Sequence, residues 1–216
     1  MTLTLKQHLE SLTRFSLPND AETIKGLPNL YRYDINLAIK EFPVLESVFS
    51  EMKKHQGSYT HSSIDSRGAM LNPGWYPCIP GWHCDDFYRP TGKQPALSQV
   101  AELAPQKHML FILGDNSRTE FLNDKEISLP SENELDLTKR NLYSYYDEII
   151  CNREMEFFKV DENTLYEFSP ITFHRGTEAT KSGWRWFLRC TFSNHRAPKN
   201  EIRNQIQIYL DPNKGW

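Results

Sequence analysis

His83 and Asp85 stand two residues apart at the end of an approach rich in proline, glycine and tryptophan, Pro80, Gly81 and Trp82, and His174 follows 89 residues after Asp85. On an extended strand residues i and i+2 share a face. His83 and Asp85 would therefore project together, with Cys84 on the opposite face and Asp86 out of register. Two imidazoles and one carboxylate on a rigid sheet face make a metal site with open positions, a set suited to iron and dioxygen. His174 closes the apolar stretch 171–174, just before Arg175 and Gly176. A strand end of this kind hands a side chain to a cavity. The other histidines fit a third ligand less well. His195 lies in a polar stretch that reads as a surface loop, and His108 reads as a strand-end or core residue. His8 pairs with Glu10 in a segment read as helix, where i and i+2 do not face each other.

The run 184–192 supplies a second constellation. At a period of two, Arg185, Phe187, Arg189 and Thr191 share one face, while Trp184, Trp186, Leu188, Cys190 and Phe192 share the other. Arginines on an inward strand face need an anionic partner, because an unpaired buried charge is costly. A guanidinium also matches a carboxylate bidentately. An anionic co-substrate beside the metal would satisfy both.

The elements must hold these groups in place. With 216 residues the chain is long enough for a substantial single core. Residues 4–14 and about 34–54, broken at Phe42 and Pro43, carry helical spacing. Residues 1–57 therefore form a helical N-terminal part, and 58–216 the core. Residues 58–95 read as irregular strands and loops. Short strands are expected at 108–113, 119–122, 126–129, 157–160, 165–168, 171–174, 184–192 and 206–210. A capping-box pattern, Ser131 with Glu134, opens an inserted helix over about 131–151. Helices followed by many short strands predict an α+β chain with a mainly β core, of which a jelly roll is one solution. Trp75, Tyr76, Trp82, Phe87, Tyr88 and Arg89 flank the first motif and are candidates for the site entrance.

Composition excludes some classes. Lys and Arg number 25 against 28 Asp and Glu, so the net charge of −3 argues against a nucleic-acid partner. No apolar stretch approaches the ~20 residues that a membrane span needs. The N-terminal residues lack the apolar core of a secretion signal. Cys78, Cys84, Cys151 and Cys190 form no Cys-x-x-Cys pair and read as free thiols of a reducing cytosol. The expected partner is a small molecule, and oligomeric state is left open.

The pattern His83, Asp85, His174 and then Arg185 or Arg189 resembles that of the Fe(II)/2-oxoglutarate-dependent oxygenases. The stretch 165–176 is similar to the strand-turn-strand that carries the distal histidine in this family. Arg189 with Thr191 resembles the Arg-x-Ser clamp. The likeness covers about residues 80–192 and assigns no subfamily. It implies a double-stranded β-helix, Fe(II) on His83, Asp85 and His174, and 2-oxoglutarate held by Arg185, Arg189 and Thr191, with Arg185 favoured for its far carboxylate. It also implies consumption of O2, release of succinate and CO2, and hydroxylation of a small polar metabolite or amino-acid derivative. The halogenating branch of the family has a small residue where this chain has Asp85. Two other readings stay open: a cupin-like metalloenzyme that does not use 2-oxoglutarate, and a non-catalytic jelly-roll binding module in which the three ligands do not converge.

Overall fold

The computed structural model describes residues 2–85 and 106–211. The fold is α+β, built mainly of antiparallel sheets. In chain order come β1 (Thr2–Lys6), β2 (Leu9–Arg14), α1 (Ala21–Gly26), β3 (Leu30–Tyr31), β4 (Tyr33–Asp34), α2 (Ile35–Glu41), a short 3-10 turn and α3 (Glu46–Lys54). Then follow β5 (His61–Leu71), β6 (Gln106–Leu113), β7 (Thr119–Leu122), β8 (Glu126–Pro130), α4 (Leu142–Cys151), β9 (Phe157–Lys159), β10 (Thr164–Phe168), β11 (His174–Gly176), β12 (Gly183–Ser193) and β13 (Glu201–Ile202). One sheet has six strands in the order β2-β10-β6-β12-β5-β4, and another has three, β11-β7-β9. Two strand pairs, β1-β8 and β13-β3, complete the pairing. The described strands close no barrel.

β12 is the axis of the large sheet. Its eleven residues pair along their whole length with β5, from Gly183 opposite Leu71 to Ser193 opposite His61. Its other edge pairs with β6. The alternation expected for this strand is observed. Trp186, Leu188, Cys190 and Phe192 pack with Met109, Phe111 and Leu113 of β6 under α2 and α3. On the other face, Leu110 and Ile112 meet Phe121, Tyr166 and Phe168. With both faces covered, β6 is apolar at every position from Met109 to Leu113 rather than at alternate ones.

Several expectations need correction. Residues 4–14 are not helical: β1 pairs with β8 and β2 with β10. Leu5, Leu9 and Leu12 fit a helical spacing, but Leu3 and Leu5 at a period of two carry the strand signal, supported by β-branched Thr2 and Thr4. The helical N-terminal part therefore spans only Ala21 to Lys54. Its first helix, α1, begins after Asp20, whose side chain caps it by accepting from the Thr23 N–H at 2.9 Å. The break at Phe42 and Pro43 is present. The inserted helix starts at Leu142 on an Asn141 cap, since the Ser131 side chain caps only a 3-10 turn's position and makes no cap bond. Within 58–95, expected as irregular strands and loops, β5 is a regular eleven-residue strand between β12 and β4. Residues 206–210 form no strand; Tyr209 alone bridges Tyr76. No helix among the described residues is long and apolar enough to cross a membrane.

Candidate metal centre

The approach to His83 is anchored by α4. The Trp82 N–H donates to Asp147 at 2.7 Å, and the Tyr143 hydroxyl donates to the Cys84 carbonyl at 3.2 Å. Trp82 is fully buried, stacked on Phe157, with the Arg175 guanidinium 4.5 Å above its ring. It is therefore packing, not entrance. Tyr76 lines a separate surface hollow beside Glu178. Asp86, Phe87, Tyr88 and Arg89 lie outside the described residues.

His83, Asp85 and His174 converge. One potential ligand atom from each lies within 4.8 Å of the others. Both histidines are buried, at 6% exposure each. The imidazoles are oriented through their Nδ1 atoms: that of His83 donates to the Gly81 carbonyl at 2.8 Å, and that of His174 to the Thr172 carbonyl at 3.0 Å. This fixes the tautomer and leaves each Nε2 lone pair facing the centre. The His174 Nε2 lies 3.3 Å from Asp85 Oδ2. Cys84 points away, as its alternation requires: it packs with Trp82, Phe173 and α4 and donates to the Ile171 carbonyl at 3.3 Å.

Electrostatics suits a cation here. Burial, with help from the neighbouring His174, pushes His83 down to about 3, so its ring is neutral and able to ligate. Burial raises the Asp85 carboxyl, but the Arg189 charge and the two imidazoles outweigh it and hold Asp85 well below the usual carboxylate range. A neutral His83 ring and an ionised Asp85 carboxylate are protonation states that a divalent metal needs.

The two arginines have different surroundings. Arg189 donates through Nη1 to Asp85 Oδ2, and its Nη2 lies 3.6 Å from Asp65. Asp65 is a buried hub that also takes Arg196 at 3.2 Å and Arg203 at 3.1 Å. Arg185, at 2% exposure, donates to the Ser117 carbonyl and to Thr119 Oγ1, both at 3.1 Å. Among the described residues it has no carboxylate partner. Burial lowers its guanidinium to about 10. Thr191 does not reach the cavity: it is fully buried and shares a 3.0 Å hydrogen bond with His108.

A cavity of about 310 Å³ opens from the three ligands, lined also by Thr119, Phe187 and Arg189. Its far wall holds Asp65, Arg67 and Arg203, none of which the sequence reading placed at the site. For Asp65 and Arg67 the signal is the alternation of Ser63, Asp65 and Arg67 along β5, a polar inward face without apolar periodicity; Arg203, beyond β13, has none. No family model matches the chain, and no curated protein matches it.

Proposed function

We propose that the chain is an Fe(II)- and 2-oxoglutarate-dependent oxygenase acting on a small polar molecule. The observation that carries this reading is a pairing. A His-Asp-His set stands on one wall of a cavity, and a buried guanidinium without a carboxylate partner among the described residues, Arg185, shares the β12 face of the cavity-lining Phe187 and Arg189 and donates to Thr119 on the cavity wall. When bound, Fe(II) with 2-oxoglutarate and O2 supplies oxidative decarboxylation to succinate and CO2 coupled to oxidation of a substrate C–H bond.

The chain's own residues would bind, orient and shield. His83, Asp85 and His174 hold the metal. Arg189 fixes the orientation of Asp85 by its charged hydrogen bond. Arg185 and Thr119 offer a cation and a hydroxyl to the far carboxylate. Thr119 pairs with Gly176, two residues beyond His174, so this pair sits roughly 7 Å along the sheet from a ligand. Arg189 is already committed to Asp85, which favours Arg185 as the co-substrate clamp.

Strand order supports a jelly roll around this site. β10, β6, β12 and β5 are neighbours in the large sheet. His83 bridges β11, which leads on to β7 and β9. The chain thus passes from β5 in one sheet to His83 beside the other, back to β6, across to β7 and β9, back to β10, across to β11, and back to β12. Repeated crossing between two antiparallel layers is the connectivity of a double-stranded β-helix. All four cysteines are free, in keeping with a reducing cytosol.

The test is to add 2-oxoglutarate to the anaerobic protein with Fe(II) and look for a metal-to-ligand charge-transfer band. The band is expected. Metal binding without it would leave a cupin-like metalloenzyme as the better reading, and no metal binding would leave only a binding module, which the convergence of the three ligands disfavours.

A further inference from the structure

Arg67 lies on β5 opposite Phe187 of β12, with its guanidinium 5.2 Å from the centre of that ring. The contact with Phe187 is its one specific interaction among the described residues. Its Nε is buried and has no hydrogen-bond partner, and none of the ion pairs around it includes it. The charge is nevertheless close to the chemistry, since it acts on His83, Cys78 and Arg185.

The charges around it are out of balance. Four arginines, Arg67, Arg189, Arg196 and Arg203, line the metal cavity against two carboxylates, Asp65 and Asp85. Arg189 takes Asp85, and Arg189, Arg196 and Arg203 share Asp65. Among the described residues no carboxylate is left for Arg67. Arg203 is only half satisfied: one Nη reaches Asp65, while its Nε is buried without a hydrogen-bond partner among the described residues. Both arginines also line a second hollow that continues outward past Tyr31 and Gln207. Arg185 lines neither hollow itself; its donors go to the Ser117 carbonyl and to Thr119 on the metal-cavity wall.

We propose that Arg67 and Arg203 form an oxyanion-binding subsite at the outer end of the metal cavity, and that the molecule oxidised there carries a carboxylate or phosphate group. A planar guanidinium fork recognises either oxyanion through two parallel hydrogen bonds. The phenol groups of Tyr31 and Tyr209 and the amide of Gln207, all on the cavity wall, add neutral donors. This subsite would hold the substrate's charged end while an uncharged part faces the metal. The substrate assignment rests on the oxygenase reading; the anion site does not.

The test follows the Nε–Hε resonances of the arginines by NMR in the full-length protein loaded with Zn(II). Inorganic phosphate and acetate are titrated separately at low ionic strength, and 2-oxoglutarate in a third arm. Saturable movement of the Arg67 and Arg203 resonances is expected; in Arg67→Gln, where Arg203 is the reporter, affinity should be lowered about tenfold or more. The surface change Arg140→Gln should leave it unaltered. Arg67→Lys, which keeps the charge but loses the fork, should fall between. Phosphate alone moving Arg67 would point to a phosphorylated substrate, and acetate doing as well would point to a carboxylate. The proposal is overturned if neither anion moves Arg67 saturably, or if 2-oxoglutarate moves Arg67 in place of Arg185. Should phosphate move Arg67 while 2-oxoglutarate moves no arginine, the subsite stands and the oxygenase reading is lost.

Discussion

His83 and His174 exchange both backbone hydrogen bonds of a single antiparallel bridge, His83 N–H to His174 O at 3.0 Å and His174 N–H to His83 O at 2.9 Å. Their ring centres are 4.5 Å apart. Each ring is then turned by a carbonyl two residues earlier in its own segment, that of Gly81 or Thr172. Backbone geometry alone brings the imidazoles together, so the site is preorganised before any metal arrives.

Removing either imidazole should therefore abolish metal binding without unfolding the chain. Metal at a hundred times its dissociation constant should stabilise the native protein by about 2.7 kcal/mol. His83→Ala and His174→Ala should lose this increment, while their metal-free melting temperatures stay near that of the native chain. Thermal melts with and without Fe(II) or Co(II) provide the check. A metal-dependent shift that survives in His174→Ala would mean that the distal ligand is another residue.

The two arginines of β12 should separate in kinetics. Arg185→Ala removes a charged clamp from a dry site and should cost on the order of 2–5 kcal/mol in 2-oxoglutarate binding, seen as a steep rise in apparent KM. Arg189→Ala frees the Asp85 carboxylate and should weaken metal affinity by roughly 10–100-fold, as loss of a group that orients a ligand does. If 2-oxoglutarate affinity collapses in Arg189→Ala and is unchanged in Arg185→Ala, the assignment is reversed.

Asp65 joins β5, β12 and the segment after β12 through three guanidinium groups. Asp65→Asn leaves these cations without their shared anion and should destabilise the fold by about 3–5 kcal/mol. Urea denaturation measures it, and a loss below about 1 kcal/mol would mean that water or a neighbouring anion already balances the arginines.

The unequal legibility of β5 and β12 has a physical cause. β12 buries large apolar side chains on one face and arginines on the other, so its alternation is visible in the sequence. β5 buries small polar residues instead. Ser66 accepts from the Leu30 N–H at 2.9 Å and donates to the Pro28 carbonyl at 2.7 Å, serving the backbone of the segment that crosses it. On the opposite face Ser63, Asp65 and Arg67 are polar too, so neither face of β5 has a hydropathic signature. The triad was legible from its residue types and order, although the expected strand over 171–174 is absent: His83 makes an isolated bridge, and His174 opens β11 instead of closing a strand. The inserted helix was misplaced because a capping-box pattern at Ser131 says nothing about which cap the chain uses.

Gly176 occupies the space where β11 meets the segment before His83. A Cβ there would lie 2.6 Å from Cys78 Sγ and 3.0 Å from the Cys78 carbonyl. The backbone at Cys78 would have to shift, and β11 carries His174. Gly176→Ala should cost about 1–3 kcal/mol of stability and lower metal affinity as well. Cys78→Ala in the same chain should relieve part of the stability loss, because it removes the nearer contact; a double variant no more stable than Gly176→Ala would place the strain on the backbone alone.

The last prediction concerns pH. Burial and the neighbouring His174 lower His83 to about 3 in the folded chain, from an ordinary value of 6.5. Between these values the unfolded chain takes up a proton that the folded chain refuses. Stability therefore falls as pH falls, and it is flat with respect to this group above about 6.5. The slope is about 1.4 kcal/mol per pH unit for this one imidazole. The carboxyl of Asp85, held well below its usual range, adds the same sign of dependence only below about pH 3.9. A window from about pH 6 to 4.5 thus separates His83 from Asp85. Denaturant melts of the chelator-treated protein should lose stability across that window, and His83→Gln should lose less by about 1.4 kcal/mol per unit. Equal slopes for the native chain and His83→Gln would show that the His83 ring is protonated in the folded metal-free state, and that its neutral, ligand-ready form is not set by the fold.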